Sequence, residues 1–350
     1  MKKELLELLR CPKSGQRLLL QDLDGAGLGE IQSGWLESED GRHRYPIRDG
    51  IPRFVPQTNY ADNFGMQWNH FRQTQLDSYS GHPISAERFW KATGWFPAAL
   101  KGHWVLDIGC GAGRFAEVAL EAGAHVVALD YSSAVDACYA NLKHYPNLHL
   151  VQGDIYELPF VRGEFPFVYS LGVLQHTPDV AKAFAALPPM VQDGGKLCVD
   201  YYWKRIRTML HTKYLLRPFT KSMPQPKLFR LLERWVPTLL AISQTLRRVP
   251  LIGRLLQRLV PVADCTGIYP LSAQQLREWA LLDTFDMLAP AYDNPQTATT
   301  IRRWMADEGI SDIEVFHEGH LVARGIKNTK VSFDVPAFTE SVHQQSQVVA

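Results

Sequence analysis

The chain is 350 residues long, 46% apolar, and carries a formal net charge of +1. That length allows two or three folding units; so small a charge excludes polyanion binding by bulk charge alone, and no apolar run reaches the length of a membrane span. Five scattered cysteines (Cys11, Cys110, Cys138, Cys198, Cys265), and a start in which Glu4 and Glu7 interrupt the apolar residues, exclude a disulfide framework and a signal peptide, so a reducing, cytoplasmic setting is expected.

Residues 1–57 carry their own pattern. Leu5 to Pro12 is followed by short strands, a Gly/Asp turn at 24–29, and the segment Tyr45 to Pro52. This resembles a small zinc-ribbon-like domain that accompanies some RNA methyltransferases. The ribbon's usual metal pair is C-x-x-C, but here the sequence reads Cys11-Pro12-Lys13-Ser14, with no later C-x-x-C. Tetrahedral zinc needs four ligands, so a degenerate, metal-free domain is expected; a partial site using His43 is the alternative. Residues 58–102 are aromatic-rich and predicted to form a helical cover. Tyr60, Gln67 and Arg88 are candidates there for substrate or cofactor contact, against the plainer reading of an amphipathic cover packed on a sheet.

Residues 103–202 hold the most informative pattern. Val105 to Phe115 reads VLDIGCGAGRF: an apolar strand, a D-x-G-x-G-x-G turn, then a helix over 115–122. Glycines allow a tight turn and close approach of a ligand, and the helix start offers unpaired N–H groups. Asp107 just before the glycines would repel a pyrophosphate but attract an ammonium group. That points away from a dinucleotide and toward S-adenosylmethionine, whose amino-acid end carries an amine. Asp130 ends a second strand about twenty residues on, the spacing at which a carboxylate meets ribose hydroxyls. A third strand (148–155) ends in Gly153-Asp154, and a fourth (from Phe165) runs into the loop Leu171 to His176. Strands alternating with helices imply a parallel sheet with the ligand at its C-terminal edge.

With these residues the chain resembles the class I S-adenosylmethionine-dependent methyltransferases, strongly over 100–200 and more loosely over 270–326. VLDIGCGAGRF is similar to that family's first motif, ALDYS to its ribose-binding acid, GDIYELPF to its adenine segment and GGKLCVDYY to its fifth strand. The resemblance implies an α/β fold: a Rossmann-like doubly wound methyltransferase sheet with an N-terminal small β-rich domain and a helical insertion. It implies that Gly109, Gly111 and Gly113 approach the methionine part, with Asp107, Cys110, Arg114 and Phe115 beside them. Asp130, with Tyr131 and Ser132, would hold the ribose, Asp154 and Ile155 would flank the adenine, and Leu171, Gly172 and Gln175 would line the methyl-donor side. The pre-strand segment Phe64 to Phe71 would fold over the cofactor.

Residues 203–268 read as a basic helical insertion, a lid between strands five and six. Within 203–262 lie thirteen Lys or Arg and one acid, Glu233, so this stretch carries about +12 and the rest about −11. Apolar residues fall at helical spacing (Leu228, Leu231, Leu232, Trp235, then Leu239, Leu240, Ile242; later Leu251, Ile252, Leu255, Leu256, Leu259). Prolines 218, 224, 226, 237, 250 and 261 are expected to break it into short helices. Three readings stand: a cap with a solvated basic face, an anionic membrane surface contact, or RNA binding.

Residues 269–330 complete the core: a helix capped by Ser272, a loop over Leu282 to Pro295, a helix over 296–308, and two final strands. Asp286 and Tyr292 in that loop, with Tyr202 at the end of strand five, are candidates for the acceptor pocket. Residues 331–350 are polar and expected to be disordered.

Methyl transfer needs the acceptor positioned and its proton removed. His176 is the candidate general base, since imidazole as a group titrates near neutrality; the alternative is that it only shapes the loop. The Asn/Asp-Pro-Pro-aromatic motif of enzymes that methylate base amines is absent after strand four. O-methylation of a small or lipid-linked acceptor therefore fits best, with carbon methylation open. An RNA methyltransferase and a non-catalytic S-adenosylmethionine-binding scaffold are the alternatives. Localisation is expected to be cytoplasmic, peripheral to the membrane if the insertion binds one.

Overall fold

The computed structural model describes residues 1–21, 30–56, 61–205 and 212–328. The expectations for Tyr60 and for a disordered 331–350 tail lie outside these residues.

Seven strands form the main sheet: β5 (Trp104–Ile108), β6 (His125–Asp130), β7 (Leu148–Gln152), β8 (Phe165–Ser170), β9 (Val191–Tyr201), β10 (Ile310–Glu318) and β11 (His320–Lys327). Their order is β10-β11-β9-β8-β5-β6-β7. The five strands from β5 to β9 run parallel to their neighbours, while β11 is antiparallel to both β9 and β10. The chain winds outward from β5 to β7 and then returns to β8. This reversal opens a crevice at the C-terminal ends of β5 and β8, where such sheets hold ligands. Both faces are covered, so the strands read as continuous apolar runs. Leu106, Ile108, Val127, Leu129 and Val168 point to one face; Val105, Val126, Ala128, Phe167 and Tyr169 point to the other. The second face receives the helices Ile84–Thr93, Arg114–Glu121 and Ala134–Leu142 through Phe89, Phe115 and Val135.

The N-terminal unit is a helix, Lys3–Leu8, and an antiparallel sheet of β1 (Leu18–Gln21), β2 (Gly34–Ser38), β3 (Arg44–Arg48) and β4 (Ile51–Pro52). Its Leu5, Leu9, Leu36 and Ile47 join the core on the first face. Just past β4, Arg53 bridges Gln152 in parallel and Phe54 N–H donates to the Gln152 carbonyl at 2.8 Å. The Arg53 guanidinium reaches Gln152 Oε1 at 2.9 Å and Asp136 at 2.7 Å. These contacts cover the edge of β7, which would otherwise present unpaired backbone groups.

Two sequence expectations are corrected here. The stretch from Leu282 is not a loop: Ser272 and Gln275 form a capping box, and the helix Ala273–Leu288 continues to Leu288. Trp279, Leu282, Phe285 and Leu288 recur at helical spacing on its buried side, and no breaker stands before Pro290. The insertion is also less broken than its prolines suggest. Pro226 sits in the first turn of a 23-residue helix, Gln225–Arg247, where its missing N–H costs nothing, but Pro237 lies inside that helix and Pro218 inside Lys213–Thr220. An internal proline costs about 3 kcal/mol. Leu228, Leu232, Val236 and Leu240 offset this by burying one stripe against Ala280, Phe285 and Leu288. Among the described residues no helix is long and apolar enough to cross a membrane.

Candidate functional site

The glycine turn after β5 begins the site. Gly111 lies at φ +53°, which favours glycine, and a Cβ there would stand 3.2 Å from the Trp68 ring, so the loop backbone and the helix Asp62–His70 pack closely on each other. Gly113 differs: at φ +96° a Cβ would meet Leu142 and Cys138, which is a packing requirement rather than space kept for a ligand. Asp130 organises the turn from the end of β6. Its Oδ2 accepts from Gly111 N–H at 2.9 Å, and its Oδ1 accepts from the backbone and hydroxyl of Ser132 at 2.8 and 2.7 Å. Burial raises the Asp130 pKa, against the lowering effect of these bonds.

A cavity of about 350 Å³ runs from this turn under the insertion, within the range of small-molecule sites. Gly109 to Ala112, Leu129, Asp130, Tyr131, Gly153 and Ile155 line one end. The other end is lined by charged and aromatic side chains, among them Arg88, Arg114, His176, Tyr202, Lys213, Asp283, Asp286 and His320.

Of the residues expected from sequence, the wall includes Gly109, Cys110, Gly111, Arg114, Phe115, Asp130, Tyr131, Ile155, Leu171, Gly172, His176, Gln67, Arg88, Tyr202 and Asp286. It does not include Asp107, Gly113, Ser132, Asp154, Gln175 or Tyr292. Asp107 is 2% exposed, sealed beneath the turn, with Oδ2 unpartnered. Burial raises its pKa to about 8, the nearby Tyr169 hydroxyl lowering it and Asp130 adding to the rise. Asp154 accepts from Tyr156 N–H at 2.9 Å, capping the short turn that carries Ile155. The Gln175 side chain is fully buried. Tyr292 contributes its backbone: its carbonyl lies 3.1 Å from His176 Nδ1. With Nδ1–H donating there, His176 Nε2, which has no partner among the described residues, is the basic nitrogen.

His320 and Asp200 were missed. Asp200, 1% exposed, accepts from Arg88 at 2.7 Å and lies 3.2 Å from His320 Nδ1; its other oxygen accepts from Gly172 N–H. Burial alone would raise its pKa, but His320 and Arg88 hold it well below the usual carboxylate range. The His176 and His320 rings both meet the Tyr202 ring edge-on at 5.3 Å, so Tyr202 stands between two imidazoles. Its hydroxyl lies 3.2 Å from Asp286, and Lys213, paired to Asp293 at 2.6 Å, lies 4.6 Å from its ring. Sequence offered one usable signal here: Asp200 ends the fifth strand beside Tyr202. Nothing local marked His320, which arrives from the far hairpin.

Asp283 is half-buried near Asp286 and accepts from Gln75 at 3.1 Å; desolvation, then Asp286, raises its pKa to about 7. The folded chain therefore keeps this proton between pH 4 and 7, where the unfolded chain has released it. Its contribution to stability is full below pH 4 and lost as pH rises through 7. Urea unfolding across pH 4–8 should show that loss; Asp107, also raised, adds to it, so Asp283→Asn should lessen the slope without abolishing it, and an unchanged slope in the variant would reject the shift.

The surface above the cavity is apolar and basic. Among the described residues fifteen large apolar side chains are exposed, and eleven lie in the insertion. Leu215 (72%) and Phe219 (75%) stand out from the helix that carries Lys213, and Leu251 is fully exposed.

Cys11 is the one cysteine of the N-terminal unit. Its thiol lies 3.4 Å from the Tyr45 hydroxyl, and among the described residues no third metal-ligating side chain gathers there. These residues do not fit a tetrahedral zinc site.

Comparison with known proteins agrees with this architecture. Residues 106–199 match the family described as methyltransferase domain, and residues 2–50 match the Trm112p-like protein family. The chain is 32% identical over 115 residues to a ubiquinone biosynthesis O-methyltransferase of Aromatoleum aromaticum, covering 29% of this chain and 44% of that protein. It is 32% identical over 123 residues to a demethylmenaquinone methyltransferase of Renibacterium salmoninarum, covering 34% and 51%. A magnesium protoporphyrin IX methyltransferase structure from Synechocystis aligns at 14% identity and TM-score 0.42, covering 77% of this chain and 97% of that one. The chain spans about half the length of the curated relatives it matches.

Proposed function

We propose that this chain, with a methyltransferase domain at its centre and a Trm112p-like unit at its start, moves a methyl group from S-adenosylmethionine to a hydroxyl of a small or lipid-linked acceptor. One observation carries the reading: a single cavity joins the Gly109–Ala112 turn and Asp130 to a chamber holding two histidines and a tyrosine. The residues fit the donor. Asp130 lines the cavity where a ribose would lie, Gly172 has open space where a Cβ would stand, and Ile155 offers an apolar wall for a base. Bound there, the donor supplies an activated methyl group. The protein then holds the acceptor and takes its proton. His176, turned by the Tyr292 carbonyl so that Nε2 is basic, is the proton acceptor. Asp200 holds Arg88, His320 and the Gly172 backbone in one cluster, which fixes the wall opposite.

The exposed leucines and the surplus cations of the insertion suit an anionic membrane surface, from which a lipid-linked acceptor would enter beneath Lys213. A second reading, an RNA acceptor, is favoured by the Trm112p-like match and the basic insertion. Bare aliphatic side chains such as Leu251 and Leu255 among the cations speak against it, since RNA surfaces use aromatic stacking and phosphate contacts. The cavity's paired acids, bases and cations speak against a scaffold without chemistry.

The test supplies methyl-labelled S-adenosylmethionine with either a membrane lipid extract or total RNA. Label should enter the organic phase, and His176→Gln should lower that rate by about 10²–10⁴-fold while leaving S-adenosylhomocysteine affinity unchanged. Label in RNA would establish the second reading. Wild-type rates in His176→Gln would remove His176 as the base.

A further inference from the structure

We infer that Glu4, His125 and His149 form a divalent-cation site, of the zinc, cobalt or nickel class, that ties the N-terminal unit to the main sheet. His149 lies in β7 opposite Val127 of β6, which places His125, two residues earlier, one diagonal step away on the same face. Glu4 comes from the first turn of Lys3–Leu8, the helix that packs on this face through Leu5. One ligand atom from each of the three lies within 4.8 Å of the others.

The second observation is an unmet need. His149 is 3% exposed and, among the described residues, neither of its ring nitrogens has a hydrogen-bond partner, nor does His125 Nδ1. An unsatisfied buried polar group is a standing cost that a bound ion would remove. Trp104 walls the apolar side, its ring 5.1 Å from His125 and 5.0 Å from His149. On the other side, a small cavity bounded by Met1, Lys2, Leu5, Glu30 and His149 has room for a water molecule as a further ligand. The Lys2 ammonium beside it is turned onto the carbonyls of Pro146 and Leu148 and toward Glu30.

Two imidazoles and a carboxylate suit borderline first-row ions and not calcium or magnesium, which take oxygen ligands. None of the three residues lines the large cavity, so the ion would be structural. The set draws on both matched parts of the chain and is independent of Cys11 and of the methyl-transfer reading.

The test uses the full chain stripped with a chelator and titrated with Co²⁺, then Zn²⁺. One Co²⁺ per chain should bind with visible absorbance and be displaced by Zn²⁺. Zinc at a hundredfold above Kd should raise the unfolding temperature by roughly 3–4 °C. Glu4→Gln, at an exposed position, and His125→Gln should each weaken binding at least tenfold, whereas Cys11→Ser should leave it unchanged. Binding of equal strength in wild type, Glu4→Gln and His125→Gln, loss of binding in Cys11→Ser, or no stoichiometric binding would each overturn the site.

Discussion

Asp130→Ala should lower the affinity for S-adenosylhomocysteine by about 2–3 kcal/mol, roughly 30- to 150-fold, measured by calorimetry. The loss has two parts. The carboxylate disappears as an acceptor for ribose hydroxyls, and the Gly111 N–H loses its anchor, freeing the turn that lines the same end. Ser132→Ala separates them. It removes one hydroxyl bond to Asp130 but leaves the carboxylate and the Gly111 bond in place, so its loss should be well under that of Asp130→Ala. Unchanged affinity in Asp130→Ala would remove Asp130 from the donor site.

The second large effect concerns the insertion. The wild-type chain should sediment with anionic vesicles at low salt and stay in solution with neutral vesicles or at high salt. Replacing Lys227, Arg234, Arg248 and Arg258 by Gln should weaken this about a thousandfold, because each basic residue near an anionic bilayer contributes roughly 1 kcal/mol. All four are exposed, so the fold should survive their loss. Leu251→Ser together with Leu255→Ser should weaken binding to the same vesicles without changing its salt dependence, since those side chains act through apolar burial. A wild-type chain that remains in the supernatant with anionic vesicles at low salt would contradict the membrane reading and leave the insertion as a cap over a soluble acceptor.

The donor end of the cavity was legible because its determinants are local. The turn from Gly109 to Gly113, Asp130 and Ile155 each sit at the end of a strand whose register the apolar pattern fixes, so their order in sequence is their order along the sheet edge. Asp107 shows the limit of that logic. Sequence places it beside the glycines, but strand alternation turns its side chain to the buried face with Tyr169. The acceptor end was less legible because its residues converge from distant segments. His320 comes from the last hairpin, Lys213 from the insertion, and Asp283 from a helix that looked like a loop because its acids obscured the buried spacing of Trp279, Leu282 and Phe285. Pro237 misled for a related reason: a proline penalty is local, whereas the stripe that outweighs it needs a partner helix that sequence alone does not show.

The most direct test of the account is titration of the purified full chain with S-adenosylhomocysteine. Saturable binding is expected at one site per chain, competed by S-adenosylmethionine and not by a nicotinamide dinucleotide. Absence of saturable binding, or displacement by the dinucleotide, would contradict it.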